Sequence, residues 1–360
     1  MKIAIVGKNP ESGYSGGRIH ALMVALGCAR LGHAVDYYTN NKPVFFEELS
    51  PLSQGLQINF IITKTFLKIP SGCDYQKVFV IPHLATIKNF LFDKIFFYGF
   101  VNRLRQLSSA QLSFLDFESP NWIAESSTPL RSRYCYLNSD CIIDKCDSIF
   151  SSTLIGSRYA REYYGKMNPK LQFNVLSPPI NSVAAEMSRA QTKTDSIVFF
   201  ARFGQKHKGS EALVEVIDAI PRGFQFVVIS NRNVIPVDVL LKIEAVASRN
   251  QVSIVFRSQI SEVEKFRLLA RSRLLLFATK FEGFGLPPVE AQFVNTPVIC
   301  SNLPVLREVN DLAVFDSFTN SESLREKIEK VLSSPPKGLK ESVESVARFE
   351  NFAMSLENHL

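Results

Sequence analysis

The sequence of 360 residues lacks the features that mark several classes of protein. No apolar run reaches the roughly 18 residues that a membrane-spanning helix requires. The first residues, MKIAIVG, resemble a buried strand without a basic leader or cleavage site, so no signal peptide is predicted. Six cysteines are scattered without a usual zinc-binding spacing, and we expect reduced thiols in a cytoplasmic protein. No nucleic-acid-binding motif is recognisable, so we expect no nucleic-acid partner.

The glycine-containing loop at residues 7–18, GKNPESGYSGGR, lacks two common nucleotide-binding patterns. It has no G-x-G-x-x-G, and the next strand ends in YYTN without the acidic residue that binds ribose in NAD enzymes. It also lacks the G-x-x-x-x-G-K-[ST] pattern of a P-loop. An NAD enzyme is therefore disfavoured. The glycines still allow backbone N–H groups to approach a phosphate at a helix start, although a plain turn explains them equally well.

The sequence does contain a regular alternation of short apolar runs with longer amphipathic stretches. Buried parallel strands are predicted at KIAIV, AVDYYT, KVFVI, LSFLDF and SIFSS in the first half, and at SIVFFA, QFVVIS, VSIVF, LLLFA and PVICS in the second. Between the halves, residues 176–196 lose this periodicity and gather Pro, Ser and Thr, which is typical of a linker. Length and alternation together predict two α/β domains with mostly parallel sheets.

The net charge of +7 is concentrated in the first half of the chain. Residues 1–180 hold 19 Lys and Arg against 13 Asp and Glu, whereas the remainder holds 22 against 21. This excess suggests an anionic partner such as a phosphorylated acceptor or a membrane surface, and a solvated surface explains it equally well. Residues 87–107 are rich in Phe and Ile with Lys and Arg between them. They predict a core helix, which we favour, or an amphipathic helix that lies on a membrane.

Two cations follow the first strand of the second half, in the segment FFARFGQKHKG. Arg202 comes at the end of the strand, and Lys208 comes just before Gly209 and the next helix. Ligands of open α/β sheets bind at the carboxyl ends of the strands, where both cations are expected. Two cations at one point suit a diphosphate. Taken alone, the segment is better explained as a solvated basic loop.

A second segment, FEGFGLPPVEA, places two glutamates at the two ends of a glycine- and proline-containing turn. Glu282 is predicted in the loop that leaves a buried strand, and Glu290 in the first turn of the following helix. Gly283 and Gly285 let the backbone between them present N–H groups. An ionised glutamate accepts two hydroxyl hydrogen bonds, which suits the vicinal diols of a ribose or a hexose. A surface loop residue and a first-turn glutamate favoured by the helix dipole are the structural alternatives.

In combination, these segments resemble the GT-B glycosyltransferases of the retaining family 4, or group 1, type. SGGRIHALMVALGCARLGHAVDYYT is similar to the first helix and second strand of that family, ARFGQKHKG to its Arg-x5-Lys-Gly segment, and FEGFGLPPVEA to its Glu-x7-Glu signature. The resemblance implies two Rossmann-like domains with parallel sheets facing an interdomain cleft. It implies an acceptor domain at residues 1–182, a nucleotide-sugar donor domain at 183–338, and a helix at about 339–360 that crosses back to the first domain.

The resemblance also implies roles for individual residues in binding the donor. Glu282 would hold the hydroxyls of the donor sugar, and Glu290 the diol of the ribose. Arg202 and Lys208 would neutralise the diphosphate. The other implied donor contacts are Gly16, Gly17, Gly283, Phe284, Gly285 and Leu286 at the phosphates, and Arg257, Ser258 and Ile260 near the base.

The sequence departs from the pattern of the family at three places. Arg257-Ser258 stands where Leu-Gly is frequent near the base, and Ala278-Thr279 replaces the usual Pro-Ser before the signature. The family often has a catalytic histidine at the end of a first-domain strand, whereas this chain has LDFESPNW there.

The catalytic group of the first domain is therefore predicted among carboxylates. Glu118 and Asp116 are the candidates, with His83 as a second choice. The leaving phosphate develops negative charge, which Arg202, Lys208 and a helix N-terminus would stabilise. No Asp-x-Asp pair of the metal-dependent transferases occurs, so we expect neither a metal nor another cofactor.

The function implied is a retaining glycosyltransferase that moves a hexose from a UDP-sugar to a polysaccharide or a lipid-linked glycan. Glucose is the default expectation for the hexose. The basic first domain could bring the protein to the inner face of a membrane. Two alternatives remain open: a nucleotide-sugar epimerase of the same architecture, and a non-catalytic protein that binds nucleotide sugars.

Overall fold

The computed structural model describes residues 1–8, 16–43, 46, 49–63, 66, 74–81, 93–116, 142–189, 191–201, 212–258 and 260–360. The chain divides into two compact units. Unit 1 comprises Met1–Pro179 together with Phe349–Leu360, and unit 2 comprises Ile180–Arg348. The stretch that returns to unit 1 therefore begins at residue 349, whereas the resemblance to the family implies residue 339.

Unit 1 contains a seven-stranded sheet in the order β3-β2-β1-β4-β5-β6-β7, with every neighbouring pair parallel. Its strands are β1 (Lys2–Val6), β2 (Ala34–Thr39), β3 (Asn59–Ile62), β4 (Lys77–Val80), β5 (Gln111–Leu115), β6 (Ser148–Ser151) and β7 (Gln172–Val175). Its helices are α1 (Gly16–Arg30), α2 (Ser50–Ser53), α3 (Gly99–Ser108), which follows a π-helical stretch at Asp93–Tyr98, α4 (Leu154–Tyr164), and, after unit 2, α13 (Phe349–Glu357). The central strands are buried because a parallel sheet is covered on both faces.

Unit 2 contains a six-stranded parallel sheet in the order β10-β9-β8-β11-β12-β13. Its strands are β8 (Ser196–Phe200), β9 (Gln225–Ile229), β10 (Ser253–Arg257), β11 (Leu274–Phe277), β12 (Val298–Ser301) and β13 (Val314–Asp316). Its helices are α5 (Ser182–Ser188), α6 (Leu213–Ala219), α7 (Val237–Asn250), α8 (Glu262–Arg271), α9 (Leu286–Phe293), α10 (Pro304–Val309), α11 (Ser321–Ser333) and α12 (Leu339–Ala347).

Helix α13 completes unit 1 by packing on α1. A Cβ atom at Gly27 of α1 would lie 2.9 Å from Cδ2 of Leu356 and 3.1 Å from Cε1 of Phe352. His20 of α1 is buried and meets the Phe352 ring edge-on, with ring centroids 5.9 Å apart. A glycine at position 27 therefore lets the two helices approach closely.

The described part of residues 87–107 lies in the core of unit 1. Phe97, Phe100 and Leu104 are completely buried there, so the core helix is the explanation that fits this part of the segment. Residues 87–92 lie outside the described residues. Within the residues that the structure describes, no helix is both long enough and apolar enough to cross a membrane.

Two predictions from the sequence need correction. Residues 176–196 are not an unstructured linker, because they include α5 and the start of β8. Helix α5 begins where the Asn181 side chain accepts a hydrogen bond from the N–H of Ala184. Strands β3, β7 and β13 were not predicted, because no apolar run marks them in the sequence. All three lie at an edge of a sheet.

Three of the six cysteines lie among the described residues, and each is buried and in no disulfide. They are Cys28, Cys146 and Cys300. Burial raises the pKa of Cys28 and of Cys300 to about 12, so both stay protonated at neutral pH. The expectation of reduced thiols in a cytoplasmic protein stays a prediction. Cys73, Cys135 and Cys141 lie outside the described residues.

Candidate functional site

The carboxyl edge of the unit 2 sheet brings together the segments that carry the predicted donor contacts. Strands β8 and β11 are hydrogen-bonded neighbours in parallel register. The chain therefore leaves both strands at the same edge, toward Arg202 after β8 and toward Glu282 after β11. Arg202 and Lys208 themselves lie outside the described residues, and their contacts stay predictions.

The loop between β11 and α9 is held by Thr279. Its N–H donates to Oγ of Ser301, at the end of β12, over 2.8 Å. Its hydroxyl lies 2.9 Å from the carbonyl oxygen of Phe281 and 3.1 Å from Oε1 of Glu282. Thr279 occupies the position of the family's serine, so the departure noted in the sequence keeps the hydroxyl that orients this loop. Sequence reasoning assigned Thr279 no role, although its hydroxyl was a usable signal.

The start of α9 offers backbone donors at the second half of the same loop. Gly285 has a φ of 90° and caps the helix, and two prolines without N–H groups follow Leu286. Among the first positions of α9, the backbone N–H groups of Gly285 and Leu286 are therefore the ones that can donate to a ligand. They lie at the end of the helix where its dipole is positive. Gly283 and Phe284 are buried just before them. Binding of a phosphate by this group of N–H donors stays a prediction.

Glu290 lies in α9 within a buried cluster of charges, as the fifth residue of the helix and not in its first turn as the sequence predicted. The ammonium of Lys265, in α8, donates to Oε1 of Glu290 over 2.7 Å and to Oε1 of Glu262 over 2.7 Å. The three side chains are 6–11% exposed. Sequence reasoning missed Lys265 and Glu262, because their spacing of three is that of an ordinary helix-surface pair and Glu290 is 25 residues away.

The charged groups of this cluster shift one another's pKa values. Burial raises the pKa of Glu290, Lys265 opposes that rise, and the negative charge of Glu262 adds to it. Burial alone would lower the pKa of Lys265, but the two carboxylates raise it overall. Lys265 is therefore charged at neutral pH, and it stabilises the ionised form of Glu290.

The residues predicted near a base lie on the segment that connects β10 to α8. Arg257 ends β10, and its carbonyl accepts from the N–H of Ser230 over 2.8 Å. The side chains of Arg257 and Ser258 are exposed, and Ile260 is partly buried. Ser261 then caps α8 by accepting from the N–H of Glu264 over 3.2 Å. Contact of this segment with a base stays a prediction.

In unit 1, the predicted site residues are only partly within the described residues. Gly16 and Gly17 form the start of α1, at the carboxyl end of β1. Asp116 follows β5, is 1% exposed, and accepts a hydrogen bond of 2.6 Å from the hydroxyl of buried Tyr164. This environment favours a structural role for Asp116. Glu118 and His83 lie outside the described residues, so a catalytic role for either stays a prediction.

Two further observations bear on where a ligand could bind. Within the described residues, no group of three or more His, Cys, Asp and Glu side chains could hold a metal ion. A polar cavity of about 580 Å³ lies in unit 1, lined by the first residues of β4, β5, β6 and β7. Ligands of such sheets bind at the opposite, carboxyl edge, so this cavity is separate from the candidate site.

Comparison with protein families supports the resemblance. Residues 185–350 match the family described as glycosyl transferases group 1. This stretch contains both glutamates of the loop, the two cations after β8, and the Glu262–Lys265 pair. The predicted resemblance to the group 1 type is confirmed over this stretch.

Curated relatives match over short segments only. The O-antigen chain mannosyltransferase RfbU of Salmonella typhimurium is 32% identical over 99 residues, which are 28% of this chain and 26% of RfbU. The serotype-specific mannosyltransferase WbdA of Escherichia coli is 48% identical over 50 residues, which are 14% of this chain and 6% of WbdA. The chain thus spans about a quarter or less of the length of these relatives.

Solved structures match over nearly the whole chain. Sucrose-phosphate synthase from Thermosynechococcus elongatus has a TM-score of 0.69 at 17% identity, covering 99% of this chain and 98% of that one. Anabaena HepE, solved with UDP and glucose, has a TM-score of 0.67 at 12% identity, covering 100% and 99%. With two parallel α/β units and these neighbours, the chain has the GT-B fold, as the sequence predicts.

Proposed function

We propose that the protein is a glycosyltransferase that uses a nucleotide sugar as its donor. The observation that carries this proposal is the group 1 match over residues 185–350, which includes the loop that joins Glu282 to Glu290 at the carboxyl edge of the unit 2 sheet. In this proposal Glu282 binds hydroxyls of the sugar, and Glu290 binds the ribose diol. The N–H groups at the start of α9 bind the phosphates between them.

The donor is proposed to carry a hexose. The sequence makes UDP-glucose the default, and HepE was solved with UDP and glucose. RfbU and WbdA are named as mannosyltransferases, which favours a nucleotide-activated mannose instead. Arg257 and Ser258 are exposed on the segment predicted to face the base, so these side chains are proposed to discriminate uracil from guanine.

The acceptor is proposed to be a growing polysaccharide or a lipid-linked glycan. The support is the name of RfbU, an O-antigen chain mannosyltransferase, together with the basic excess of residues 1–180. A glycan attached to a lipid diphosphate would supply the negative charge that such a surface attracts. Peripheral contact with a membrane is not required by this proposal.

The proposed chemistry needs preorganised positive charge at the leaving group. As the bond from the sugar to the phosphate breaks, negative charge grows on the nucleoside diphosphate, and Arg202, Lys208 and the start of α9 would stabilise it. Transfer with retention of configuration, by attack on the face from which the diphosphate departs, is the outcome implied by the family type. No residue is assigned as a covalent nucleophile.

One assay distinguishes this function from the two alternatives, an epimerase and a non-catalytic binding protein. An epimerase would convert the donor without releasing the nucleoside diphosphate, and a binding protein would leave the donor intact. Release of the nucleoside diphosphate from the donor in the presence of a glycan acceptor therefore separates the transferase from both alternatives.

We predict that the wild-type protein binds one nucleoside diphosphate and its hexose derivative in the micromolar range, and that Glu290→Ala weakens both about tenfold or more. A hydrogen bond to a charged group contributes about 1.5–3 kcal/mol, which corresponds to this change. Calorimetric titration with UDP, GDP, ADP, UDP-glucose and GDP-mannose measures it.

Glu186→Ala is the matched control for that titration. Glu186 pairs with Lys340 over 3.1 Å in unit 2, and it is not among the predicted donor contacts. Its removal should leave nucleotide affinity unchanged. If wild-type protein binds none of the nucleotides, or if Glu290→Ala binds them as well as the wild type, the proposed donor site is wrong.

A further inference from the structure

Lys265 donates hydrogen bonds from one ammonium group to two buried carboxylates, those of Glu262 and Glu290. All three side chains are buried, with exposed fractions of 8% for Glu262, 11% for Lys265 and 6% for Glu290. Apolar side chains of similar size often stabilise a fold as well as a buried ion cluster does, so stability alone is a weak reason for this arrangement. The cluster therefore calls for a role besides packing.

The two carboxylate oxygens of Glu290 differ in their hydrogen bonds within the cluster. Oε1 accepts from Lys265 over 2.7 Å. Within the described part of the chain, Oε2 accepts no hydrogen bond. A carboxylate with one oxygen fixed by an ammonium and the other without a protein donor is suited to accept a hydrogen bond from a ligand hydroxyl.

Helix α8 links this carboxylate to the segment predicted to face the base. The helix starts at Glu262, directly after Ser261, whose side chain caps it. Residues 257–260 precede that cap. Lys265 is on the first turn of the helix, so the position of α8 relative to α9 is fixed by the same ammonium that holds Glu290.

We infer that Lys265 is a positioning residue for the nucleotide: it holds the Glu290 carboxylate in the orientation that accepts the ribose hydroxyls. This inference rests on the proposed function, because it assumes that a nucleotide binds at the loop of residues 278–290. Lys265 contacts Glu290 and not the reacting atoms. It should control affinity for the donor, expressed in Kd and KM, and change kcat much less.

The test uses the ribose hydroxyl as a probe. UDP and 2′-deoxy-UDP, and likewise GDP and 2′-deoxy-GDP, are titrated against wild type and Lys265→Met by calorimetry. Wild type should prefer the ribose form about tenfold or more, as expected for a hydroxyl bound to a carboxylate. In Lys265→Met the preference should fall to less than about threefold, because the freed carboxylate no longer keeps one orientation. A role limited to folding would weaken both nucleotides equally and leave the preference intact.

Lys340→Met is the matched control for this test. Lys340 also serves two carboxylates, with distances of 3.1 Å to Glu186 and 3.6 Å to Glu344, and its side chain is 10% exposed. It lies on α12, which packs against α9, as α8 does. The ribose preference should be unchanged in Lys340→Met, and an equal loss there would overturn the inference.

Glu262→Gln provides a second test, which keeps the hydrogen bond from Lys265 to Glu290. The charged groups that act on Glu290 are Lys265 and Glu262 of α8, while Lys340 and Arg348, at and after α12, pair with Glu186 and Glu344. Removing the charge of Glu262 should lower the pKa of Glu290, so the ribose preference should persist to a lower pH than in wild type.

The outcomes distinguish failure of the inference from failure of the proposed function. If wild type binds no nucleotide, the proposed function fails and the inference falls with it. If wild type prefers the ribose form and Lys265→Met keeps that preference, the inference alone is wrong. The inference would also be overturned if Glu262→Gln and wild type lost the preference for the ribose form at the same pH.

Discussion

Gly285 meets two separate constraints, and both exclude a side chain. Its φ of 90° lies in the left-handed region, which other residues adopt at a cost. A Cβ atom would also lie 2.3 Å from Cδ2 of Leu306, which is completely buried. The backbone at the start of α9 is therefore fixed by residue type as well as by hydrogen bonds.

We predict that Gly285→Ala destabilises the protein more than Gly223→Ala does. Gly223 has a φ of 85°, and a Cβ added there would meet nothing within 4 Å, so its substitution costs only the backbone strain, about 1–3 kcal/mol. At Gly285 the contact with Leu306 adds about 1–3 kcal/mol, because a packed core resists extra volume. Free energies of unfolding in denaturant compare the two variants, and equal losses would contradict the prediction.

Among single residues, the sequence predicted those that belong to a recognisable motif. Glu282, Gly285 and Glu290 fall within one contiguous signature. Glu282 and Gly285 lie on the loop and helix start that were expected, whereas Glu290 is the fifth residue of α9, just beyond the first turn. Lys265 could not be predicted, because its partner is distant in the chain and its own surroundings look like an exposed helix. Which lysine meets a buried carboxylate depends on how two helices pack, and no spacing encodes that.

At the scale of elements, the sequence revealed the central strands and the edge strand β10, and it missed the other three edge strands. Runs such as KIAIV and LLLFA are continuous because both faces of a central parallel strand are covered. By contrast β3 (NFII) and β7 (QFNV) mix polar residues with apolar ones, and β13 has three residues. These three edge strands bury less apolar surface, so their sequence pattern resembles that of loops.

The contact between α1 and α13 depends on the small size of Gly27. Leu356 is completely buried, and Phe352 is 4% exposed, so neither side chain has open space to move into. The resemblance to the family predicted the first helix and a helix at about 339–360 that crosses back to the first domain. It could not show that Gly27 is the point of contact, because Phe352 and Leu356 are more than 300 residues away.

We predict that Gly27→Val destabilises unit 1 by about 1–3 kcal/mol, since its added atoms overlap Leu356 and Phe352. Gly99→Val, in α3 of the same unit, should be nearly neutral, because a Cβ there meets nothing within 4 Å. Amide hydrogen exchange should accelerate in α1 and α13 of the first variant and not in unit 2. Unchanged exchange in α13 would mean that the helices do not need this glycine.

The whole molecule has an uneven distribution of groups that titrate near neutral pH. Four of the five histidines belong to unit 1 by sequence. Burial lowers the pKa of His20 well below 6.5, and burial also lowers the pKa of His33 and His359. Because the unfolded chain binds protons at these sites first, unit 1 keeps its full stability above pH 6.5 and loses stability as the pH falls below that value.

We predict that His20→Leu flattens the pH dependence of unfolding. In wild type, His20 alone should remove up to about 1.4 kcal/mol of stability for each pH unit below 6.5, until its folded-state pKa is reached. Free energies of unfolding at pH 7.5, 6.5 and 5.5 give the slope for both proteins. Parallel slopes would show that His20 does not bind its proton on unfolding.

The division of unit 1 between the two ends of unit 2 has a consequence for synthesis on the ribosome. Residues 349–360 emerge only after all of unit 2, a delay on the order of ten seconds at usual translation rates. Until then, the surface of α1 that receives α13 is uncovered, and it is the kind of apolar face that chaperones hold. Unit 2 is one continuous stretch and has no such wait. The half of the protein that is made first is therefore completed last.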